Sequence, residues 1–330
     1  MRISRLYIVA IISLFGFSGC IAPGSFSSAE GSFDRTLTVA GPVEVDVATG
    51  SGSIDVRPCS PGTIRIHGLV KARGDLRAAA EEKVRYIEMN PPIETSGSLI
   101  RIGRIQDPSY QNISISYEIQ VPPNTKLASS TGSGDQRFDG LRNGVRATTG
   151  SGFITLSDIG GDVNAQTGSG GIDLRSITGS AELQTGSGSI NARALAGSVR
   201  AGTGSGSISL YLKTMEQGAP QQVEAQTGSG GIEVEGVYGS IKAGTGSGGI
   251  RVKGNPIGDW DIHTSSGEIL LEMAPDAAYD LSARTSSGRI NISPPVKVQG
   301  QFSPREIRGE VRGGGRMVTA RTGSGGITIR

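Results

Sequence analysis

The sequence predicts an all-β chain wound as a parallel β-solenoid, a β-helix of about ten 18-residue coils, with an N-terminal β-rich cap carrying one helix. Three observations carry that expectation. A tetrad Thr-Gly-Ser-Gly or Thr-Ser-Ser-Gly starts at Thr49, Thr131, Thr149, Thr167, Thr185, Thr203, Thr227, Thr245, Thr264, Thr285 and Thr322, with a spacing of 18 from Thr131 through Thr203. Apolar and polar residues alternate on both sides of each tetrad. The 330 residues include 52 glycines, about twice the usual share of roughly 7%. Eighteen residues are too few for a strand and a helix, and no helical period follows residue 90. Each repeat is therefore one coil, with identical positions stacked at about 4.8 Å.

Aligning the repeats on their threonines exposes the strands. Five places on stand Ile54, Ile154, Ile172, Ile190, Ile208, Ile232 and Ile250, and seven places on stand Val56, Phe138, Leu156, Leu174, Leu210, Val234 and Val252. Four places before each threonine lie Leu127, Val145, Val163, Val199, Val223, Ile241 and Trp260. Two places before it are small residues such as Ala147, Ala165, Ala201 and Ala225, which suit a thin core. Period-two alternation makes each flank a short strand with one buried face. Glycines at the corners, such as Gly168, Gly170 and Gly179, are expected to take backbone angles denied to other residues. After Thr203 the spacing runs 24, 18, 19, 21 and 37, so some coils carry insertions and the last gap has room for two coils. The column three before the tetrad reads Arg146, Asn164, Glu182, Arg200, Glu224, Lys242 and Asp261. Its charges alternate in sign, which favours in-register stacking and penalises a one-coil slip.

The segment before the rod is built differently. Residues 33–126 contain strands around the outlying Thr49 unit, and 75–89 (DLRAAAEEKVRYIEM) read as a helix with Asp75 as N-cap and Pro91-Pro92 as a stop. Laid over the first coil, that helix would cover an open strand edge. The solenoid repeats proper are expected over 127–330. Residues 20–32 (Ile21–Ser32 reads IAPGSFSSAEGS) look like a flexible tether.

Residues 1–19 read as an address rather than as structure. Arg2 and Arg5 precede an apolar run from Leu6 to Phe17 that ends in Ser18-Gly19-Cys20. That is the form of a signal peptide, too short to span as a mature helix. The small residues before Cys20 resemble the lipobox of bacterial lipoproteins, with Phe17 standing where leucine is usual. The resemblance implies that the Cys20 thiol is acylated and becomes the first residue, anchoring the protein to a membrane. The alternative is an ordinary secretory signal that happens to end in a cysteine. Ile21 in place of aspartate implies, by analogy with enteric bacteria, sorting to the outer membrane. Cys59 is then left without an intrachain partner, so packing and backbone pairing must hold the fold.

The run YEIQVPPNTKLASSTGSG from Tyr117 to Gly134, followed by TGSGxIxL units, resembles the bacterial putative-adhesin family of domains of unknown function. The resemblance spans roughly residues 33 to 330, with Asp135-Gln136 departing from the repeat. It implies a β-solenoid at the cell envelope with an adhesin-like role and no established catalytic residues.

Chemistry in the residues themselves is sparse. Without Arg2 and Arg5, basic and acidic residues balance, which removes the general electrostatic drive toward nucleic acid. His67 and His263 stand apart, and neither a zinc site nor a histidine acid/base pair is expected. The tetrads lack the Gly-Lys-Ser/Thr of a phosphate loop. Their threonines read as a structural hydroxyl ladder, with an ordered polar face for a glycan or ice lattice as the functional alternative. Asp139, Asp158, Asp162 and Asp173 are scattered carboxylates without a motif. No catalytic residue, cofactor or metal is expected. The expected function is that of a cell-envelope lipoprotein, anchored through Cys20, whose repetitive surface binds or scaffolds an envelope protein or glycan. An envelope-stress regulatory component and a polysaccharide-active β-helix enzyme are the alternatives. Changing Cys20 to Ser should release the protein from membranes or block its processing; mature protein still sedimenting with membranes in cell fractionation would refute the lipobox reading.

Overall fold

A computed structural model describes residues 27–74, 76–104, 112–213, 220–299 and 303–330. Residues 1–19, expected to be a signal peptide, and Cys20 lie outside the described residues. Every repeat supplies one strand ending at its tetrad and one beginning after it. The first kind stack into one parallel sheet, face B, and the second into another, face A. Face B runs in strict register: Val145 lies between Leu127 and Val163, and Thr149 between Thr131 and Thr167. On face A, Ile154 lies between Gln136 and Ile172. The strand Ile232–Ser247 takes part in both sheets.

The alternation read from the sequence is the burial pattern. Ile154, Ile172, Ile190 and Ile208 are buried from face A, and Val145, Val163, Ala181 and Val199 from face B. With alanine at most positions two before the tetrad, the sheets enclose a thin core. Trp260 fits one of its inward columns because its Nε1 donates to the Gly239 carbonyl at 3.0 Å. All eleven tetrads stack in a single column, from Thr49 against Thr131 onward.

The rod therefore begins earlier than residue 127. Strands β2 (Glu44–Thr49) and β3 (Ile54–Pro58) form its first rung. The chain between that rung and Thr131 forms the N-terminal cap from β4 (Thr63–Gly74), α1 (Arg77–Met89), β5 (Ile93–Ser96), β6 (Leu99–Ile102) and β7 (Ile113–Val121). Antiparallel β4 pairs with β7 and extends face A, while β6 and β5 extend face B.

Three expectations about this cap need correction. Residues 27–32 are not tether: they belong to β1 (Ser27–Thr38), which pairs along its whole length with β4, from Ser27 opposite Gly74 to Thr38 opposite Thr63. Pairing satisfies the free edge of β4, and Phe33 turns inward onto Gly68 and meets Tyr117 edge-on at 6.4 Å. The helix exists, but Leu76 is its N-cap and offers no side-chain hydrogen bond; Asp75 lies outside the described residues. Finally, α1 does not lie over the first coil. It buries Ala80, Val84 and Ile87 and packs on β1 and β4. Its Glu88 carboxylate accepts from the Ser32 N–H on the free edge of β1 at 3.0 Å, so the helix covers the outermost strand rather than the first rung.

The far end departs from chain order. The Thr264 rung is followed in space by the Thr322 rung, and the Thr285 rung lies outside that. The same exchange occurs on face A, where Ile327–Ile329 lies between Ile269–Met273 and Ile290–Ile292. The 37-residue gap thus holds no two further coils. It contains Val296–Val298 and Glu306–Val311, antiparallel strands that extend face B beyond the Thr285 rung. The chain then doubles back to fill the slot left open. Glu272 locks the returning strand: it binds Arg251 at 2.8 Å and Arg330 at 2.7 Å, and these hydrogen bonds hold its carboxyl below the ordinary range.

Replacing Ile190 with Asp should cost several kcal/mol, because it buries an unpaired carboxylate between stacked apolar rungs. Asn191 to Asp, one residue on and outward, should cost less than about 1 kcal/mol. Chemical denaturation of both variants checks this, and equal losses would refute the alternation.

Candidate binding faces of the rod

The threonine column resolves into one repeated device. The Thr185 hydroxyl accepts from the Gly188 N–H of its own tetrad at 3.1 Å and donates to the Gly170 carbonyl of the preceding rung at 2.8 Å. Thr149, Thr167 and Thr203 do the same. The inserted rung obeys the spatial order: Thr322 donates to Gly267, and Thr285 to Gly325. These threonines are buried, and at Thr149, Thr167, Thr185, Thr203 and Thr285 both hydrogen-bonding roles of the hydroxyl are filled inside the protein. The structural ladder holds, and the glycan- or ice-matching face built on threonine is overturned. The exposed hydroxyl column is instead the serine two places further on: Ser51, Ser133, Ser151, Ser169, Ser187, Ser205, Ser229, Ser247, Ser266, Ser287 and Ser324. It recurs in every tetrad, a regularity legible in the sequence that a search centred on threonine passes over.

The corner glycines also need a different explanation from the one their sequence suggests. Gly168, Gly170 and Gly179 do not have positive φ. A Cβ on Gly170 would overlap the Gly152 carbonyl, and one on Gly188 would overlap that of Gly170. Close approach between successive backbones excludes the side chain. The left-handed conformation sits nine places after the threonine, at Gly140, Asp158, Ser176, Ala194 and Gly236.

Along face B runs a groove of about 810 Å³, reaching from Glu44 and Lys126 to Asp261 and lined by the alternating charge column. Its members pair in register, from Arg146 beside Asn164 to Lys242 beside Asp261. Asn164 donates to Glu182 at 2.8 Å, Arg200 binds Glu224 at 3.0 Å, and Lys126 binds Glu44 at 3.3 Å. Arg146, Lys242 and Asp261 stay exposed along the same line.

The remaining candidates do not converge. His263 is exposed, as expected of its outward column, and its ring lies over Gly244. His67 is half-buried and meets Asp34 at 2.8 Å on the outer side of the N-terminal cap. Asp139 and Asp173 face outward from face A, Asp158 sits at a corner, and Asp162 accepts from the Ser180 N–H at 2.8 Å on the face B side. Among the described residues no three His, Cys, Asp or Glu side chains are grouped to hold a metal ion, and no helix is long and apolar enough to cross a membrane. Cys59 is a free thiol, pushed above its ordinary pKa by burial, that contacts the Thr63 carbonyl at 3.1 Å.

Stacked in-register rungs, a capped N-terminal end and long polar faces define a β-solenoid rod. Residues 214–330 match the family described as Toastrack DUF4097. The match covers the C-terminal part of the resemblance drawn from the repeats, including the inserted rung. Among solved structures the chain is similar to a putative cell adhesion protein from Clostridium sporogenes, with 10% identity and a TM-score of 0.25, over 91% of this chain and 99% of that one. It is also similar to a putative adhesin from Bacteroides fragilis, with 13% identity and a TM-score of 0.35, over 91% and 97% of the two chains. No curated protein matches.

Thr185 to Val should destabilise by about 1–3 kcal/mol, because it strands the half-buried Gly188 N–H and removes the donor to Gly170. Thr185 to Ser keeps the hydroxyl and should lose distinctly less. Urea melts of the pair check this, and equal losses would show that the methyl group and not the bridge matters.

Proposed function

We propose that this protein is a lipid-anchored rod of the bacterial cell envelope that binds or scaffolds an envelope or extracellular partner in an adhesin-like manner, with the face B groove as its main contact. The supporting observation is the groove itself, which crosses successive rungs on one rigid face. Its walls repeat at about 4.8 Å with charges alternating in sign, so it suits an extended partner that meets the same chemistry rung after rung. A rigid solenoid orders these side chains before binding, which lowers the entropic cost of contact. Acylation of Cys20 would place the β1 end nearest the membrane and leave the rod projecting from it. The resemblance of residues 17–20 to a lipobox and Ile21 support an outer-membrane lipoprotein, and no nucleic-acid partner fits the charge balance.

Reversing both Arg200 and Lys242 to Glu sets like charges beside Glu182, Glu224 and Asp261 without touching an inward column. Cells displaying this variant should lose most of their attachment to matrix-coated surfaces at equal display level, and the stacked like charges should lower the melting temperature by only a few degrees. Unchanged attachment at equal display would refute the groove as the contact face.

A further inference from the structure

The outer side of face A is irregular at its N-terminal end. The position just after each tetrad is small at Ser53, Gly171, Ser189 and Ser207, but in two successive rungs it is Asp135 and Phe153. Phe153 is 57% exposed. Its N–H donates to Asp135 Oδ1 at 2.8 Å, and its ring lies over Gly171, where a Cβ would come to 3.1 Å from it. The departure Asp135-Gln136 in the repeat thus has two parts. Gln136 turns inward and donates to the Thr148 carbonyl at 2.6 Å, while Asp135 turns outward and holds the phenylalanine backbone.

The cap strands complete a ledge beside it. Across β4, β7, β3 and the next two rungs, the register places Leu69, Ser116, Ser53, Asp135 and Phe153 in one outward row. Leu69 is 46% exposed. Two apolar posts therefore stand about 19 Å apart, four strand spacings, with two serine hydroxyls and a carboxylate between them. The neighbouring outward row is Glu118, Asp55, Arg137 and Thr155. Both rows line one depression of about 480 Å³. Glu118 and Asp55 stand directly opposite each other, an arrangement that disfavours folding and that Arg57, bound to Asp55 at 2.9 Å, and Arg137, opposite Asp55 on its other side, relieve.

From this juxtaposition we infer a carbohydrate subsite for a short linear oligosaccharide of neutral or amino sugars. A pyranose ring has an apolar C–H face and a rim of hydroxyls. Phe153 supplies a flat exposed surface that removes such a face from water. Asp135, Asp55 and Glu118 accept from sugar hydroxyls, and Arg137 and the serines donate. Carboxylates outnumber the cations on the ledge, so it repels uronic acids and attracts a sugar ammonium. The subsite lies on the face opposite the charged groove and does not depend on it.

Saturation-transfer NMR and calorimetry of the intact protein with cellotetraose, chitotetraose, a glucosamine tetramer and a galacturonate tetramer test the assignment. At least one neutral or amino tetramer should bind, with transfer concentrated on ring C–H protons, and galacturonate should bind at least about tenfold more weakly. Phe153 to Ala should weaken binding at least about tenfold with an unchanged melting temperature, and Leu69 to Ala should weaken it several-fold. The Arg200/Lys242 charge reversal should leave sugar binding as it was, which separates this site from the groove. Failure of all neutral and amino tetramers to bind at millimolar concentration would overturn the subsite and leave the ledge to a protein side chain. Binding that survives Phe153 to Ala, or that favours galacturonate, overturns it as well.

Discussion

The threonine bridge between successive rungs is the interaction on which the rest depends. One hydroxyl closes its own turn by accepting from the third residue after it, and fastens that turn to the rung before by donating to a carbonyl. Stacking at this corner brings backbone against backbone, which is why glycine follows the threonine at a fixed distance. A side chain there would meet the neighbouring carbonyl, as the positions of Gly170 and Gly188 make plain. With the corner pinned, register on both faces follows, and no rung can slip without breaking its bridges. In a chain with a thin, alanine-rich core and no disulfide among the described residues, such specificity has to come from polar geometry as much as from apolar burial.

The ends show how an open repeat is closed. At the N-terminal end, antiparallel strands take over from parallel ones and the final strand is β1, with the helix packed on β1 and β4. At the C-terminus the chain overshoots, lays down an outer rung and a pair of antiparallel strands, and returns to complete the interior. Residues 316–330 therefore fill an internal position, held on both faces and tied by Glu272 to Arg330. Both solutions serve the same need, since an unpaired parallel edge invites association with other chains.

Departures from the repeat carry more information about function than the repeat does. Where every rung is alike, the surface offers long rows of the same groups, as in the groove of face B. Where Asp135 and Phe153 interrupt the small residues, a shape appears that only those rungs possess. The cap strands add Leu69 and Glu118 to that same ledge from distant parts of the sequence.

Much of the fold was legible in the residues: two short strands per repeat, inward columns at fixed offsets from the threonine, and the alternating charges from Arg146 to Asp261. These are local or strictly periodic properties, and periodicity survives translation into space. Tertiary structure alone decided the rest. That residues 27–32 form a strand depended on the free edge of β4, which lies more than thirty residues away. The place of the Thr322 rung inside the Thr285 rung depended on which slot remained open, because two nearly identical sequences can occupy either position. The role of the tetrad glycines was hidden for the same reason, since a close approach between rungs is a distance between chain segments and leaves no mark on the backbone angles of one. The ledge at Phe153 joins residues from five strands, and no window of sequence contains them all.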